Sequence, residues 1–302
     1  MSDIKLYRIK DLRAAEILGT ADVLEKSLQS LIEKNLEPLL RIRLLASEHS
    51  TGEKHRGRID SLGIDENSNP VIIEYKRTKN ENVINQGLFY LDWLLDHKAD
   101  FQILVTEKLG ADAGEKIDWS APRLLCIAEA FTRYDEHAIH QIDRNIELFR
   151  YRRFGEELLM LELVNASEAE SGSAAGTVTG PSSSYKTISE TLDALQGPLH
   201  DLYHDLRTHL LALGDDVQEK TLKYYVAFKR IHNFVCIEVH PNKGALTLFL
   251  KVDPTTVNLQ KGFSRDVRTI GHYGTGDLEL TLRDQADLKR AEPYIERSYD
   301  AS

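Results

Sequence analysis

The sequence predicts a two-part protein, in which an α/β region is followed by a smaller α+β region. Helical and strand periodicities alternate over residues 1–165, small polar residues fill 166–184, and a new series of helices and strands occupies 185–302. The chain has 302 residues, of which 41% are hydrophobic, which is enough for two packed cores. We therefore expect two domains that are joined by a flexible linker.

The first predicted element is an amphipathic helix from Ala21 to Leu40, with Thr20 or Asp22 available as its N-cap. Apolar residues recur along it at helical spacing, at Val23, Leu24, Leu28, Leu31, Ile32 and Leu36. A strand from Ile42 to Ser47 and a polar loop from Glu48 to Arg56 follow.

Two strand-like segments then flank a turn. Arg58 to Ile64 alternates polar with apolar or small residues, Asp65 to Pro70 is rich in turn formers, and Val71 to Ile73 is β-branched. This pattern predicts a β-hairpin. Because side chains alternate across a strand, Glu74 and Lys76 should project from the same face.

Pairing across this hairpin can bring Asp60 beside Glu74 and Lys76. The alternative is a solvated edge strand, on which Glu74 and Lys76 form an ordinary charge pair. Neighbouring Ile73 and Tyr75 favour burial instead, and buried charges are costly unless they are paired or bound to a metal. Two carboxylates and an ammonium group that converge in a buried strand indicate a functional site.

The rest of the first region completes an α-β-β-β-α-β order. A broad apolar face predicts a helix from Asn80 to His97, which carries Gln86. Buried strands are predicted at Phe101 to Thr106 and at Arg123 to Ala128. A closing hairpin about Gly155 is predicted from two further strands, Ile146 to Tyr151 and Leu158 to Val164.

Ala166 to Ser184 is rich in Ser, Gly and Ala, a composition typical of flexible linkers. Beyond it, a helical stretch from Tyr185 to Leu213 is interrupted near Gly197-Pro198, and a last helix covers Gln285 to Tyr299. The strands predicted between them are Tyr224 to Arg230, Phe234 to His240, Ala245 to Val252 and Leu278 to Leu282. The second region is therefore expected to be an antiparallel sheet flanked by helices.

The segments Gly57-Arg58-Ile59-Asp60 and Ile73-Glu74-Tyr75-Lys76-Arg77 resemble the PD-(D/E)xK nuclease superfamily, especially its branch of archaeal and actinobacterial mismatch endonucleases. Gln86 matches a glutamine often found in that branch. The first helix of the family commonly carries a glutamate in an E-x-x-L setting, which Glu25 to Leu28 fits, with Glu33 as a rival. One departure is Ile59, which stands where the family usually has proline or glycine. The resemblance implies a restriction-endonuclease-like α/β core over residues 1–165.

The same resemblance implies a metal-dependent DNA endonuclease that acts in DNA repair or in defence against foreign DNA. Asp60, Glu74 and Glu25 would hold Mg²⁺, for which Mn²⁺ can substitute, because hard cations prefer carboxylate oxygens. Lys76 would orient the attacking water or stabilise charge, and the Gln86 amide would have an orienting role towards the lysine, a water or a phosphate oxygen. The alternative is a noncatalytic module that binds nucleic acid or a protein partner on a nuclease fold. The complete set of Asp60, Glu74 and Lys76 favours the enzyme.

The charge balance bears on the expected DNA partner, because phosphate binding depends on Lys and Arg. The formal net charge is −10; residues 1–165 carry 23 basic and 29 acidic side chains, and residues 166–302 carry 15 and 19. Local basic clusters nevertheless exist, and each is equally consistent with a solvated surface. They contain Arg41, Arg43, Lys54, Arg56, Arg58, Arg77, Lys79, Arg144, Arg150, Arg152 and Arg153.

Other features predict a cytoplasmic protein without membrane contact. No run approaches the roughly 20 apolar residues that a membrane span needs, and the N-terminus lacks the apolar core of a signal peptide. Cys126 and Cys236 stand in separate apolar strands, which predicts buried thiols in a reducing compartment.

The second region resembles an uncharacterised domain that follows nuclease-like domains, in the segments Gly214-Asp215-Asp216, Tyr225 to Lys229 and Ile270 to Asp277. This resemblance conveys architecture and little chemistry. The glycines after Ile270 can form turns or an anion-binding nest, with turns favoured, and His272 is a remote catalytic candidate. We expect this region to mediate regulation, homodimerisation or binding of a protein partner.

Overall fold

The structure is a computed structural model that describes residues 4–20, 25–52, 56–76, 83–167 and 187–302. The chain divides into two compact units, Met1–Ala174 and Ala175–Ser302. Both combine helices with sheets, in agreement with the mixed α/β prediction.

The first unit contains a mixed sheet and a separate hairpin. Its strands are β1 (Leu6–Lys10), β2 (Arg13–Ile17), β3 (Gly19–Thr20), β4 (Ile42–Ser50), β5 (Arg58–Asp65), β6 (Pro70–Lys76), β7 (Arg123–Ala128), β8 (Asn145–Phe154) and β9 (Leu158–Ser167). The described strands of the main sheet lie in the order β3-β8-β7-β6-β5-β4, and β9 pairs with β8. β1 and β2 form a two-stranded sheet of their own that the sequence did not predict.

The predicted hairpin is present, with β5 antiparallel to β6 and Ser61 opposite Ile73. β6, β7 and β8 run parallel to one another. Buried Leu62, Ile72 and Leu124 form part of the core beneath the sheet. This arrangement places Glu74 on a central strand of the sheet, and its side chain is fully buried.

The helices of the first unit are α1 (Glu25–Lys34), α2 (Leu36–Leu40), α3 (Val83–Asp96), α4 (Lys98–Leu109), α5 (Ala111–Glu115) and α6 (Arg133–Ala138), followed by a 3-10 turn at Ile139–Gln141. α3 packs on β6 and β7. Its buried Val83, Ile84 and Leu91 join the same core as the sheet residues.

The predicted strand from Phe101 to Thr106 is wrong, because these residues lie in α4. The segment is apolar and includes Ile103 and Val105, which favoured a strand. In the structure Phe101 and Val105 are buried whereas Ile103 is 57% exposed. The buried positions are four residues apart, which is the helical spacing.

Two predicted boundaries also differ from the structure. β4 continues to Ser50, so the predicted loop that begins at Glu48 starts later. β9 continues to Ser167, because Ala166 and Ser167 pair with Glu147 and Ile146 of β8. The rest of the predicted linker lies outside the described residues, as does the beginning of the first predicted helix, 21–24.

The second unit contains strands β10 (Gln218–Thr221), β11 (Val226–Lys229), β12 (Asn233–His240), β13 (Ala245–Leu250), β14 (Ser264–Asp266) and β15 (Leu278–Leu282), and helices α7 (Ile188–Asp193), α8 (Pro198–Leu211) and α9 (Gln285–Asp300). Two short 3-10 turns lie at Pro241–Lys243 and Pro254–Thr256. The strands pair antiparallel in the order β10-β11-β12-β13-β15-β14. The helix break predicted near Gly197-Pro198 separates α7 from α8, because Gly197 adopts φ 66° and Pro198 begins the second helix.

The helices of the second unit cover one face of this sheet. Leu206 and Leu210 of α8 and Ile295 of α9 pack in one buried cluster with Leu248 and Leu280 of the central strands. The unit is therefore a two-layer α+β domain of the predicted type. In the part of the chain that the structure describes, no helix has the length and apolar character to cross a membrane.

Candidate active site

The structure places Asp60 of β5 directly beside Glu74 of β6. The Asp60 N–H donates to Glu74 Oε1 over 3.2 Å, and the Tyr75 N–H donates to Asp60 Oδ2 over 3.0 Å. Each carboxylate is thus held by the backbone of the neighbouring strand. The antiparallel register of the hairpin therefore brings the two predicted acids together.

Gln86 approaches the same carboxylate from α3. Its Nε2 donates to Glu74 Oε2 over 2.9 Å. Since Oε1 accepts from Asp60, both oxygens of Glu74 are oriented by a hydrogen bond. In the structure the Gln86 amide therefore orients the Glu74 carboxylate, which was not among the partners expected for it.

Burial and like charge disfavour ionisation of both acids. Glu74 is fully buried, which raises the pKa of its carboxyl to about 9, and repulsion from Asp60 adds to the effect. Burial also raises the pKa of Asp60, although the Tyr75 N–H and the Lys76 ammonium act in the opposite direction. A pair of carboxylates in this environment favours a nearby cation, which would offset the cost of holding two negative charges.

Lys76 lies at the end of β6, on the same face as Glu74. Its Nζ is 3.8 Å from Glu25 Oε1, at the N-terminus of α1. Its side chain is only 15% exposed. The ammonium group therefore sits between a helix terminus and the carboxylate pair.

Glu33, the rival of Glu25, lies elsewhere. It accepts hydrogen bonds from Ser61 Oγ at 2.7 Å and from Gln29 Nε2 at 3.0 Å. Ser61 follows Asp60 directly, so its side chain projects from the opposite face of the sheet. Eight residues separate the two glutamates, roughly 12 Å along a helix. The geometry favours Glu25 as the helix glutamate of this site.

Two residues near the site escaped the sequence reasoning. Gln29 is buried in α1 and donates a hydrogen bond to the Asp60 carbonyl oxygen over 2.8 Å. This bond fixes the backbone of β5 at Asp60. Glu48 lies opposite Asp60, because Ser47 pairs with Ser61 and His49 with Ile59. Burial is the main cause of the raised pKa of Asp60, and repulsion from Glu48, which forms an ion pair with Arg58, adds to it. The sequence signal for Gln29 was its position as a polar residue on the apolar face of α1. Glu48 was missed because β4 was predicted to end before it.

The donor set suits a hard cation that keeps much of its water. Among the described residues, no group of three or more His, Cys, Asp or Glu side chains has the arrangement of a metal site. Asp60 and Glu74 nevertheless provide a carboxylate pair, and Mg²⁺ commonly takes one or two protein carboxylates together with waters and substrate phosphate oxygens. The residues present fit such an ion better than a fully protein-ligated metal.

The basic clusters of the sequence are partly neutralised. Arg58 pairs with Glu48, and Arg150 pairs with Glu162 of β9. Lys54, Arg77 and Lys79 lie outside the described residues.

In the second unit, His272 lines a cavity together with Glu238 and Glu279. Its ring stacks on Phe249 with centroids 4.0 Å apart, beside this open cavity of about 580 Å³ on the uncovered sheet face. In the following loop, Gly274 and Gly276 have φ angles of 79° and 150°, where a Cβ would collide with Cys236 and with the β13 backbone. These glycines therefore allow the loop to pack closely against Cys236 and the backbone of β13. Cys126 and Cys236 are both buried.

The chain is similar to a domain family, to a bacterial protein and to a solved structure. Residues 188–302 match the family model of a domain of unknown function, DUF5655, in agreement with the expected uncharacterised second domain. An uncharacterised protein of Haemophilus influenzae is 29% identical over 290 residues, which cover 92% of this chain and 94% of the relative. The solved structure of an EndoMS-dsDNA2 complex is similar with a TM-score of 0.26 and 20% identity, over 47% of this chain and 49% of the solved chain. The chain therefore spans about half the length of that solved protein.

Proposed function

We propose that the first unit is a metal-dependent DNA endonuclease with a PD-(D/E)xK-like core. The observation that carries this proposal is the convergence of Asp60, Glu74 and Lys76, with Gln86 bonded to Glu74. Burying two carboxylates side by side is costly for the fold, so the arrangement needs a compensating role. Binding a hard cation and a phosphodiester meets that need.

Asp60 and Glu74 would hold Mg²⁺ or Mn²⁺, with Glu25 reaching the site through the first turn of α1. When bound, the ion would neutralise charge on the scissile phosphate and acidify a water. The two carboxylates are already oriented by the Tyr75 N–H and by Gln86 Nε2. Little rearrangement is then needed before substrate binds.

Lys76 would act on the reacting groups directly. Its ammonium carries three donors and lies at the strand end, where it can hydrogen-bond a phosphate oxygen or the attacking water. Glu25 positions this ammonium at 3.8 Å in the protein without substrate. Gln86 would keep Glu74 oriented, and Gln29 would hold the Asp60 backbone in register.

The test is a cleavage assay with single-stranded, duplex, mismatched and modified DNA in Mg²⁺, Mn²⁺ or EDTA. Asp60→Asn, Glu74→Gln and Lys76→Met should each reduce metal-dependent cleavage by at least ~10³-fold, because residues that act on one reaction centre lose activity non-additively. Glu37→Gln is the matched control, since it removes an exposed carboxylate from the neighbouring helix α2. Glu25→Gln should weaken the Mg²⁺ dependence with a smaller loss of maximal rate.

Cleavage by the purified triple variant at the parental rate would refute the assignment. Equal effects of Glu25→Gln and Glu33→Gln on the Mg²⁺ titration would refute the role of Glu25.

The second domain is proposed to regulate the nuclease or to bind a partner, including a second copy of the chain, and to contribute no catalytic group. Among its described residues the buried acid is Asp287, which pairs with Arg290 rather than with a second carboxylate, and its candidate histidine is stacked on Phe249. With 15 basic and 19 acidic side chains in residues 166–302, it is a poor independent binder of DNA.

A further inference from the structure

The N-terminal hairpin of β1 and β2 is largely exposed. In the described part of the chain its two strands pair only with each other, and all their residues except Leu6 and Ile17 are exposed. An isolated two-stranded hairpin is marginally stable in water. Such an exposed ribbon is suited to contact with a ligand.

One face of this hairpin is basic. The register pairs Lys10 with Arg13 and Arg8 with Ala15, so three cationic side chains project together. Lys5 belongs to the other face, where it lies 3.7 Å from Glu16. In a chain with a net charge of −10, this basic face is complementary to a polyanion.

The tip of the hairpin is apolar and conformationally strained. Leu12 is 100% exposed with φ 59°, and Asp11 before it has φ 50°. Glycine is preferred in such a turn, and a bulky residue at positive φ is uncommon. Strained residues of this kind cluster at functional sites. A leucine held at the tip between Lys10 and Arg13 offers an apolar contact for a group such as the thymine methyl, which the major groove presents.

The sheet register puts the root of the hairpin at the active-site edge. Lys76 lies level with Ala128 of β7 and Arg150 of β8. β8 continues past that level to Phe154, which pairs with Gly19 of β3. The hairpin therefore leaves the sheet beyond the strand ends that carry Lys76, about 13 Å further along β8.

We propose that residues 6–17 form an arm that grips double-stranded DNA beside the bond that the active site cleaves. Arg8, Lys10 and Arg13 contact phosphates, and Leu12 enters the adjacent groove, which admits a two-stranded ribbon. This proposal rests on the proposed function for the identity of the substrate. Duplex DNA carries about one negative charge per 1.7 Å of its axis, a far higher charge density than a net −10 spread over the 302 residues of a second copy, so the basic face favours DNA.

The test compares duplex binding by full-length proteins in EDTA, where cleavage does not interfere. The triple variant Arg8→Gln, Lys10→Gln, Arg13→Gln should bind a duplex at least ~10-fold more weakly and lower the slope of log K against log salt by about 2.7, as expected for three phosphate contacts. The matched control is Lys34→Gln, Lys108→Gln, Lys116→Gln, which removes the same charge from exposed positions of α1, α4 and the end of α5. It should bind like the parent.

Leu12→Gly separates stability from function. An Asp-Gly pair suits a turn with two positive φ angles, so this variant should keep or improve the hairpin while binding duplex several-fold more weakly. Both arm variants should raise the KM for cleavage more than they lower kcat.

The proposal is overturned if the arm variants match the control in affinity and salt slope, or if the parent binds no duplex. It is also overturned if they dissociate an oligomer, measured by analytical ultracentrifugation, without changing the affinity per protomer. Duplex binding that depends on the arm, without any cleavage, would support the arm and refute only the nuclease assignment.

Discussion

At the scale of single residues, Glu74 couples the candidate site to stability. Its carboxyl has a pKa of about 9 in the folded protein, against an ordinary value of 4.5. Between these values the folded protein keeps a proton that the unfolded chain has released. Its contribution to stability is therefore present at low pH and is lost as the pH rises from about 4.5 towards about 9.

Glu74→Gln should consequently stabilise the metal-free protein at pH 8 and have little effect at pH 4. One pKa unit corresponds to about 1.4 kcal/mol, so a gain of roughly 1–3 kcal/mol is expected after allowance for imperfect hydrogen bonding. Urea unfolding at the two pH values measures the difference. If the variant is less stable than the parent at pH 8, the expectation that burial and repulsion from Asp60 disfavour the ionised form of Glu74 is contradicted.

Mg²⁺ should stabilise the parent more than Glu74→Gln, because only the parent offers two carboxylates to the ion. Thermal unfolding with and without Mg²⁺ measures this, and Glu37→Gln, which removes an exposed carboxylate of α2, serves as the control that retains the metal response. Identical Mg²⁺ shifts in the parent and Glu74→Gln would argue against metal binding at this pair.

At the scale of elements, a buried ion triad ties three strands together at the edge remote from Lys76. Arg123 of β7 donates to both oxygens of Glu147 in β8 and to Asp65 of β5, each over 2.8 Å. The Asp65 carboxylate also accepts from the turn N–H groups of Asn67 and Asn69. The triad thus links the hairpin that carries the site to the parallel strands.

Arg123→Met should destabilise the first unit by about 3–5 kcal/mol, because it leaves two carboxylates buried without a cation. The double variant Arg123→Met, Glu147→Gln should recover part of that loss, since one orphaned charge is removed. Denaturant unfolding of both variants measures the effect. If the single substitution changes the free energy of unfolding by less than ~1 kcal/mol, the triad does not contribute to holding the three strands together.

At the scale of the whole molecule, the expected linker separates the proposed nuclease domain from the proposed regulatory domain. Its composition predicts that limited proteolysis cuts first within 168–184 and releases two compact fragments. Sequencing of the fragment ends measures this. First cuts within Arg58 to Lys76 would contradict the two-domain organisation.

A fragment of residues 1–167 should retain Mg²⁺-dependent cleavage of a permissive substrate and lose selectivity, self-association or control. It should be more stable than a fragment of residues 1–165, because Ala166 and Ser167 still pair with β8. Cleavage assays and thermal unfolding compare the two. An inert 1–167 fragment that folds and binds DNA would show that the second domain supplies part of the active site.

The sequence by itself determined the chemistry that local spacing encodes. A period of two places Glu74 and Lys76 on one strand face, and a short turn returns the chain past Asp60, so this convergence needs only neighbouring residues. The two-domain composition and the helix break at Gly197-Pro198 are likewise local properties.

Only the tertiary structure decided the long-range choices. The distinction between Glu25 and Glu33, the anchoring of Asp60 by Gln29 and the approach of Glu48 depend on how α1 and β4 dock on the sheet. A short apolar run such as Phe101 to Thr106 fits both the helical and the strand periodicity. Packing decides which of its residues are buried, and in the structure the segment is helical. Local sequence specifies which groups share a strand or helix face, whereas contacts between distant segments decide which of those faces meet.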